Sequence, residues 1–192
     1  MQTRLFLTMI LCAAFVFSAC SINVKKGANG GNDDDKNVDI KTPFTDIHVE
    51  KEADARDTGL AVYPGATLKP KEGNDDNNAN VNLSAFGFGL KVVVLKYEST
   101  DTPAKVEKYY QDQLKRYGGV IECHSSHHDN YNGNVHNDPS APVRCDSDNA
   151  GNVVELKVGT EGNQHVVAID SAGKGTEFTL VYVHTHGKND TI

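Results

Sequence analysis

The stretch "CHSSHHDNY", starting at Cys123, packs one cysteine, three histidines and an aspartate into a short run. Thiolates, imidazoles and carboxylates are the ligands that zinc and copper accept, so His124, His127, His128 and the nearby His136 form a candidate Zn or Cu set. His124 and His128 would share one face if the segment were helical, because side chains at i and i+4 lie above one another. The neighbouring residues argue against a helix. "HDNYNGNVHNDPSAP" is rich in Asn, Gly, Asp and Pro, which favour turns. No HExxH glutamate accompanies the histidines. A solvated loop is the expected state of residues 124–136, with metal capture as the alternative.

The role of Cys123 depends on the compartment, and the N-terminus speaks to that. An apolar run from Leu5 to Phe17, broken only by Thr8, follows a single positive charge at Arg4. It is too short to remain as a bilayer-spanning helix but has the length of a signal-peptide core. The run ends in Ser18 and Ala19 directly before Cys20. This resembles the bacterial lipobox, with Phe17 where the pattern prefers Leu. The resemblance implies cleavage before Cys20 and anchoring to the membrane through a lipid on its thiol. An ordinary secretory signal is the competing reading. Ser21 rather than Asp follows the cysteine, which by resemblance to enterobacterial sorting signals implies the outer membrane, facing the periplasm.

Export changes the cysteine count. Cys12 leaves with the signal and Cys20 takes the lipid, so Cys123 and Cys145 remain, and such pairs in exported proteins oxidise. A disulfide at the base of a polar loop is expected, and it removes Cys123 from any ligand set. The chain has no redox CxxC, no GxSxG elbow, no phosphate loop and no dinucleotide fingerprint. "GNDDNN" and "NDDDK" lack the glycine and glutamate that an EF-hand loop requires. A formal charge of −7 without a basic cluster argues against nucleic acid as a partner. The expected partners are the membrane, through the N-terminal lipid, and an envelope protein or small ligand. No catalytic residue is assigned and no cofactor is expected beyond the alternative Zn or Cu.

The elements that position these residues can be read in outline. Residues 1–19 are expected to be the signal peptide, and 20–43 the lipidated cysteine with a flexible, Gly-, Asn- and Asp-rich tether. A single domain follows over 44–187, and a short tail over 188–192. Ile47 and Val49 alternate with polar neighbours, as do Val81 and Leu83, which predicts half-buried strands. Leu90 to Tyr97 reads as a stronger strand, with Gly87 and Gly89 at a turn or bulge before it. "TDTPAKVEKYYQDQLKRYGG" predicts the one helix. Thr102 or Asp101 can cap it, Pro103 suits its first turn, and Gly118 can close it. Val106, Tyr110, Leu114 and Tyr117 fall on one side at helical spacing. "GVIECH" predicts a strand, and "VRCDS" returns after the polar loop. "NVVELKVG", "QHVVAID" and "EFTLVYVHTH" follow with hairpin-length connections. His184 and His186 alternate on the last of these and so share a face. The fold class is α+β: a mostly antiparallel sheet of about six to eight strands with one amphipathic helix packed across it.

"DTGLAVYPGATL", a strand such as "KVVVLKYES", and "DTPAKVEKYYQDQLKRYGG" together resemble a group of uncharacterised bacterial exported proteins. Their pattern is a Gly-Leu-Pro-x-Tyr-Pro-Gly-Ala turn, a strand, and a helix opening Asp-x-Pro-x-x-Val with an aromatic pair. Here Ala61 replaces the usual Pro, and Tyr109-Tyr110 stand where Phe-Tyr is common. The likeness covers roughly residues 57 to 121. It implies the same fold and an exported protein, and carries no activity.

Overall fold

The computed structural model describes residues 21–26, 36–42, 45–50, 53–69, 78–85, 87–126, 138–145 and 151–187. The candidate lipidation site Cys20, the histidines 127, 128 and 136, the two acidic stretches and the C-terminal tail lie outside the described residues, in whole or in large part.

The architecture is α+β, as the sequence predicts. In chain order the strands are β1 (Ser21–Lys26), β2 (Lys36–Lys41), β3 (Thr45–Glu50), the short β4 (Thr67–Leu68), β5 (Asn78–Ala85) and β6 (Phe88–Ser99). The helix α1 (Pro103–Leu114) comes next, then β7 (Ile121–Ser125), β8 (Val153–Thr160), β9 (Asn163–Ala172) and β10 (Gly175–His186). All belong to one sheet in the order β1-β2-β3-β5-β6-β10-β9-β8-β7, with β4 paired to β6. Every pairing is antiparallel.

The sheet is wider than the expected six to eight strands, and the difference lies at its N-terminal edge. The stretch 20–43 read as a tether contributes the whole of β1 and β2, with Ile22 opposite Ile40 and Val24 opposite Val38. "INVKK" and "NVDIK" carry a period-two apolar pattern inside a composition dominated by Asn, Asp, Gly and Lys. Composition points to a tether and alternation to a strand; here alternation decides. In the opposite direction, the described part of "VRCDS", residues 143–145, forms no strand. Pro142 makes an isolated bridge to Thr160, and the Val143 N–H bonds the Gly159 carbonyl.

The helix begins as its sequence requires. Thr102 is the N-cap in extended geometry, although its side chain makes no capping bond, and Pro103 occupies the first turn. A 3-10 turn, Lys115–Tyr117, extends it to Gly118, whose φ of 140° suits a residue without a Cβ. Val106, Tyr110 and Leu114 are fully buried. They pack on Leu95 of β6, Phe178 and Leu180 of β10, Val167 and Ile169 of β9, and Leu156 and Val158 of β8. Phe178 is the hub: Tyr97 stacks on it at 5.5 Å, Tyr110 lies at 5.4 Å and Tyr63 at 6.4 Å.

Strand side chains alternate between faces, so the core takes only one face of the sheet. Along β6, Val93, Leu95 and Tyr97 are buried in the core on the helix side, whereas Leu90, Val92 and Val94 point the other way and are half-buried. Register continues that second face across neighbouring strands. Val38, Val49, Val81, Val92 and Val183 form one cross-strand row. Ile40, Ile47, Leu83 and Leu90 form the next. None of these residues belongs to the helix-side core or to the side chains packed against it.

Candidate functional site

The disulfide forms as the sequence predicts. Cys123 on β7 pairs with Cys145 across a sequence separation of 22, with Cα atoms 5.5 Å apart. Closing a loop of that length contributes about 3 kcal/mol in the chain-entropy account. Cys123 is buried and lies opposite Glu155 on the face away from the helix. His124, the next residue, turns to the helix side, and its Nε2 lies 3.2 Å from Glu122 Oε1. Glu122 is also held by Gln111, whose Nε2 donates to Oε2 at 3.0 Å. The disulfide and His124 thus face opposite sides of β7. Of the four candidate metal-ligating histidines only His124 is described, and no three His, Cys, Asp or Glu side chains among the described residues converge as a metal set.

A different histidine arrangement emerges from register. Rings of Tyr117, His165, Tyr182, His184 and His186 form a continuous ladder beside the helix. Tyr117 stacks on His165 at 3.8 Å, and His165 lies 4.8 Å from Tyr182. Tyr182 and His184 are 6.2 Å apart, and His184 and His186 6.0 Å. Pairing of β9 with β10 sets Tyr182 opposite His165, and pairing of β10 with β6 sets His184 opposite Lys91 and His186 opposite Gly89. The His186 ring covers Gly89, where a Cβ would overlap the imidazole. His184 and His186 therefore sit within a paired strand rather than at a frayed end. The Nδ1 of His184 is buried and has no hydrogen-bond partner. Burial pushes the His165 pKa below the ordinary imidazole value; its Nδ1–H donates to the Thr58 carbonyl at 2.9 Å, which opposes that shift.

The ladder ends on the "DTGLAVYPGA" turn, and there the motif explains itself. Thr58 is buried, and its hydroxyl donates to the Ala55 carbonyl and accepts from the Leu60 N–H. Gly59 takes a left-handed φ of 70° and leaves no room for a Cβ beneath the Tyr117 hydroxyl. Its carbonyl accepts from both Arg116 and the Tyr117 hydroxyl, the latter at 2.7 Å. Tyr117 is 38 % exposed, so it clamps the turn instead of joining the core side of the helix. Further along, the Tyr63 N–H donates to the Tyr110 hydroxyl at 3.0 Å, and the Tyr109 hydroxyl to the Val62 carbonyl at 3.3 Å. The Tyr63 hydroxyl donates to Asp101, just before the helix, at 2.8 Å. The aromatic pair of the helix serves to hold an irregular backbone segment over the sheet. The described polar contacts of this motif tie the turn to the helix and to its own backbone.

An open cleft of about 410 Å³ lies at the other end of the sheet, lined by Thr67, Glu98, Ser99, Lys174 and Thr176 among others. None of the candidate site residues lines it. The ladder escapes a reading of the sequence except at His184 and His186, because stacking of His165 on Tyr182 depends on the β9–β10 register. Comparison with family models, with curated proteins and with solved structures finds no match for this chain.

Proposed function

We propose that the chain is a lipid-anchored protein of the bacterial envelope whose single α+β domain acts as a binding or interaction module. The observation that carries this reading is the N-terminal sequence: a signal-length apolar run that ends in Ser18-Ala19 directly before Cys20. The Cys123–Cys145 disulfide supports it, since such bonds persist in oxidising compartments. Ser21 after the lipidated cysteine favours the outer membrane, with the domain on the periplasmic side. The likeness of residues 57–121 to exported bacterial proteins agrees with this placement. The side chains of that motif hold the turn to the helix, so binding is assigned to surfaces outside it.

Metabolic labelling with a fatty-acid probe tests the anchor. Wild-type protein is expected to take up label and partition with membranes, and Cys20→Ala to do neither. Equal labelling of the two proteins overturns the proposal.

A further inference from the structure

The sheet face opposite the helix carries the largest feature that neither the core nor the anchor explains. We propose that this face is the interface for a second copy of the chain, the two sheets packing face to face as a sandwich.

Sequence pattern is the first support. Val92 to Leu95 on β6 and Val166 to Ile169 on β9 are apolar at every position. A strand solvated on one face alternates, whereas an unbroken apolar run is the pattern of a strand covered on both faces. The helix and the 53–66 segment cover one face over β6, β10, β9 and β8; no described helix covers the other.

Area is the second. The two apolar rows cross β2, β3, β5, β6 and β10, and a third, through Val94 and Val181, reaches Val166 on β9. Six strands spaced by about 4.8 Å, with two to four apolar positions each at intervals of about 6.6 Å, present roughly 500 Å². Two copies together bury about 1,000 Å², the size at which specific interfaces begin. Packed sheets need a separation of about 10 Å, which valine and isoleucine rows fill from both sides.

Charge is the third, and it selects the partner. Lysines bordering the face are ion-paired within the chain. Lys96 Nζ lies 2.6 Å from Glu177 Oε1, Lys69 bonds the other oxygen of Glu177, and Lys157 Nζ lies 3.0 Å from Glu155 Oε2. An anionic lipid surface is drawn to unneutralised Lys and Arg clusters. A neutralised rim around an apolar centre suits a like surface. The proposal does not depend on lipidation at Cys20.

Sedimentation equilibrium of the purified chain tests it. Wild type is expected to dimerise at about 10 µM or below. Val92→Lys, within the longer row, is expected to weaken the dimer at least a hundredfold while keeping the wild-type circular dichroism spectrum. If that variant does not fold, Val183→Thr provides the milder test, with at least a tenfold loss. A wild-type monomer at about 100 µM overturns the proposal, as does a dimer that neither substitution weakens. Wild-type monomer that floats with phosphatidylethanolamine–phosphatidylglycerol vesicles, and stops floating with Val92→Lys, assigns the face to lipid and overturns it as well.

Discussion

Val92 and Val93 are neighbours on β6 and inhabit different surroundings. Val93 has no exposed surface and touches the helix-side core; Val92 is half-buried in a valine row on the other face. The same division holds on β9 and β10, where Val167, Ile169, Phe178 and Leu180 lie in the core while Val166, Ala168, Val181 and Val183 face the other way. On the helix side, aromatic rings, a clamped turn and an imidazole ladder fill the space with varied shapes and directional bonds. The far side presents short branched side chains in straight rows with few polar atoms. A core that specifies one packing needs shape and polar anchoring, whereas a face that meets another sheet needs flatness and matched rows. The difference marks the first face as the one that folds the chain and the second as the one left for association.

The largest expected effect breaks the helix-side face at its hub. Phe178→Ala removes a fully buried ring that three tyrosines contact, and buried Phe-to-Ala changes cost about 3–5 kcal/mol. Urea unfolding is expected to show that loss together with release of the segment around Tyr63. A loss below about 1 kcal/mol shows that the aromatic cluster is not the centre of the fold.

A matched pair of substitutions sharpens the comparison within a single strand. Val93→Ala deletes two buried methyl groups, at about 0.8 kcal/mol each plus a cavity contribution, for about 2 kcal/mol in total. Val92→Ala, measured in the monomer at low concentration, is expected to cost less than about 1 kcal/mol. At concentrations where two copies associate, the cost at Val92 is expected to rise, since the dimer adds burial there and mass action makes stability concentration-dependent. Equal costs at the two positions under both conditions remove the distinction between the faces.

How far the sequence discloses these faces follows from which signals are local. The helix announces itself through Pro103, Gly118 and the spacing of Val106, Tyr110 and Leu114, all set within one segment. The hairpin turns at Glu161-Gly162 and Gly173-Lys174 are equally local. The disulfide is legible because reading the N-terminus as an export signal sets Cys12 and Cys20 aside and leaves one pair of cysteines. Register is not local, and three features depend on it. The ladder needs Tyr182 opposite His165, and the valine rows need β2, β3, β5, β6 and β10 aligned in one order. The strand at Ser21–Lys26 exists through its pairing with β2, while its own composition suggests a tether. Tyr117 has helical spacing with Leu114, yet the 3-10 turn redirects it to the Gly59 carbonyl. The disulfide at the base of the loop was accessible to reasoning; the placement of His124 on the opposite face from Cys123 required β7 to be located first.

The smallest expected effect concerns a titratable group confined to the helix-side face. His165 is buried between Tyr117 and Tyr182, with the Arg116 guanidinium nearby and its Nδ1–H on the Thr58 carbonyl. Burial lowers its pKa, the nearby guanidinium adds to the lowering, and the carbonyl only partly offsets them. Below the unfolded imidazole value of about 6.5, the unfolded chain therefore binds more protons at this position than the folded one. Its contribution to stability is fully present above about pH 6.5 and is lost as pH falls toward the folded-state pKa, with a slope of at most about 1.4 kcal/mol per pH unit for one proton. Urea midpoints followed from about pH 7.5 down to 5 are expected to fall, and His165→Gln is expected to flatten that fall while lowering the plateau through loss of the ring stack. If His165→Gln leaves the slope unchanged, the titration belongs to another group. The two faces predict different companions for this experiment. Because His165 lies on the face that folds the monomer, its pH dependence is expected to be the same at low and at high protein concentration, in contrast to the cost of Val92→Ala.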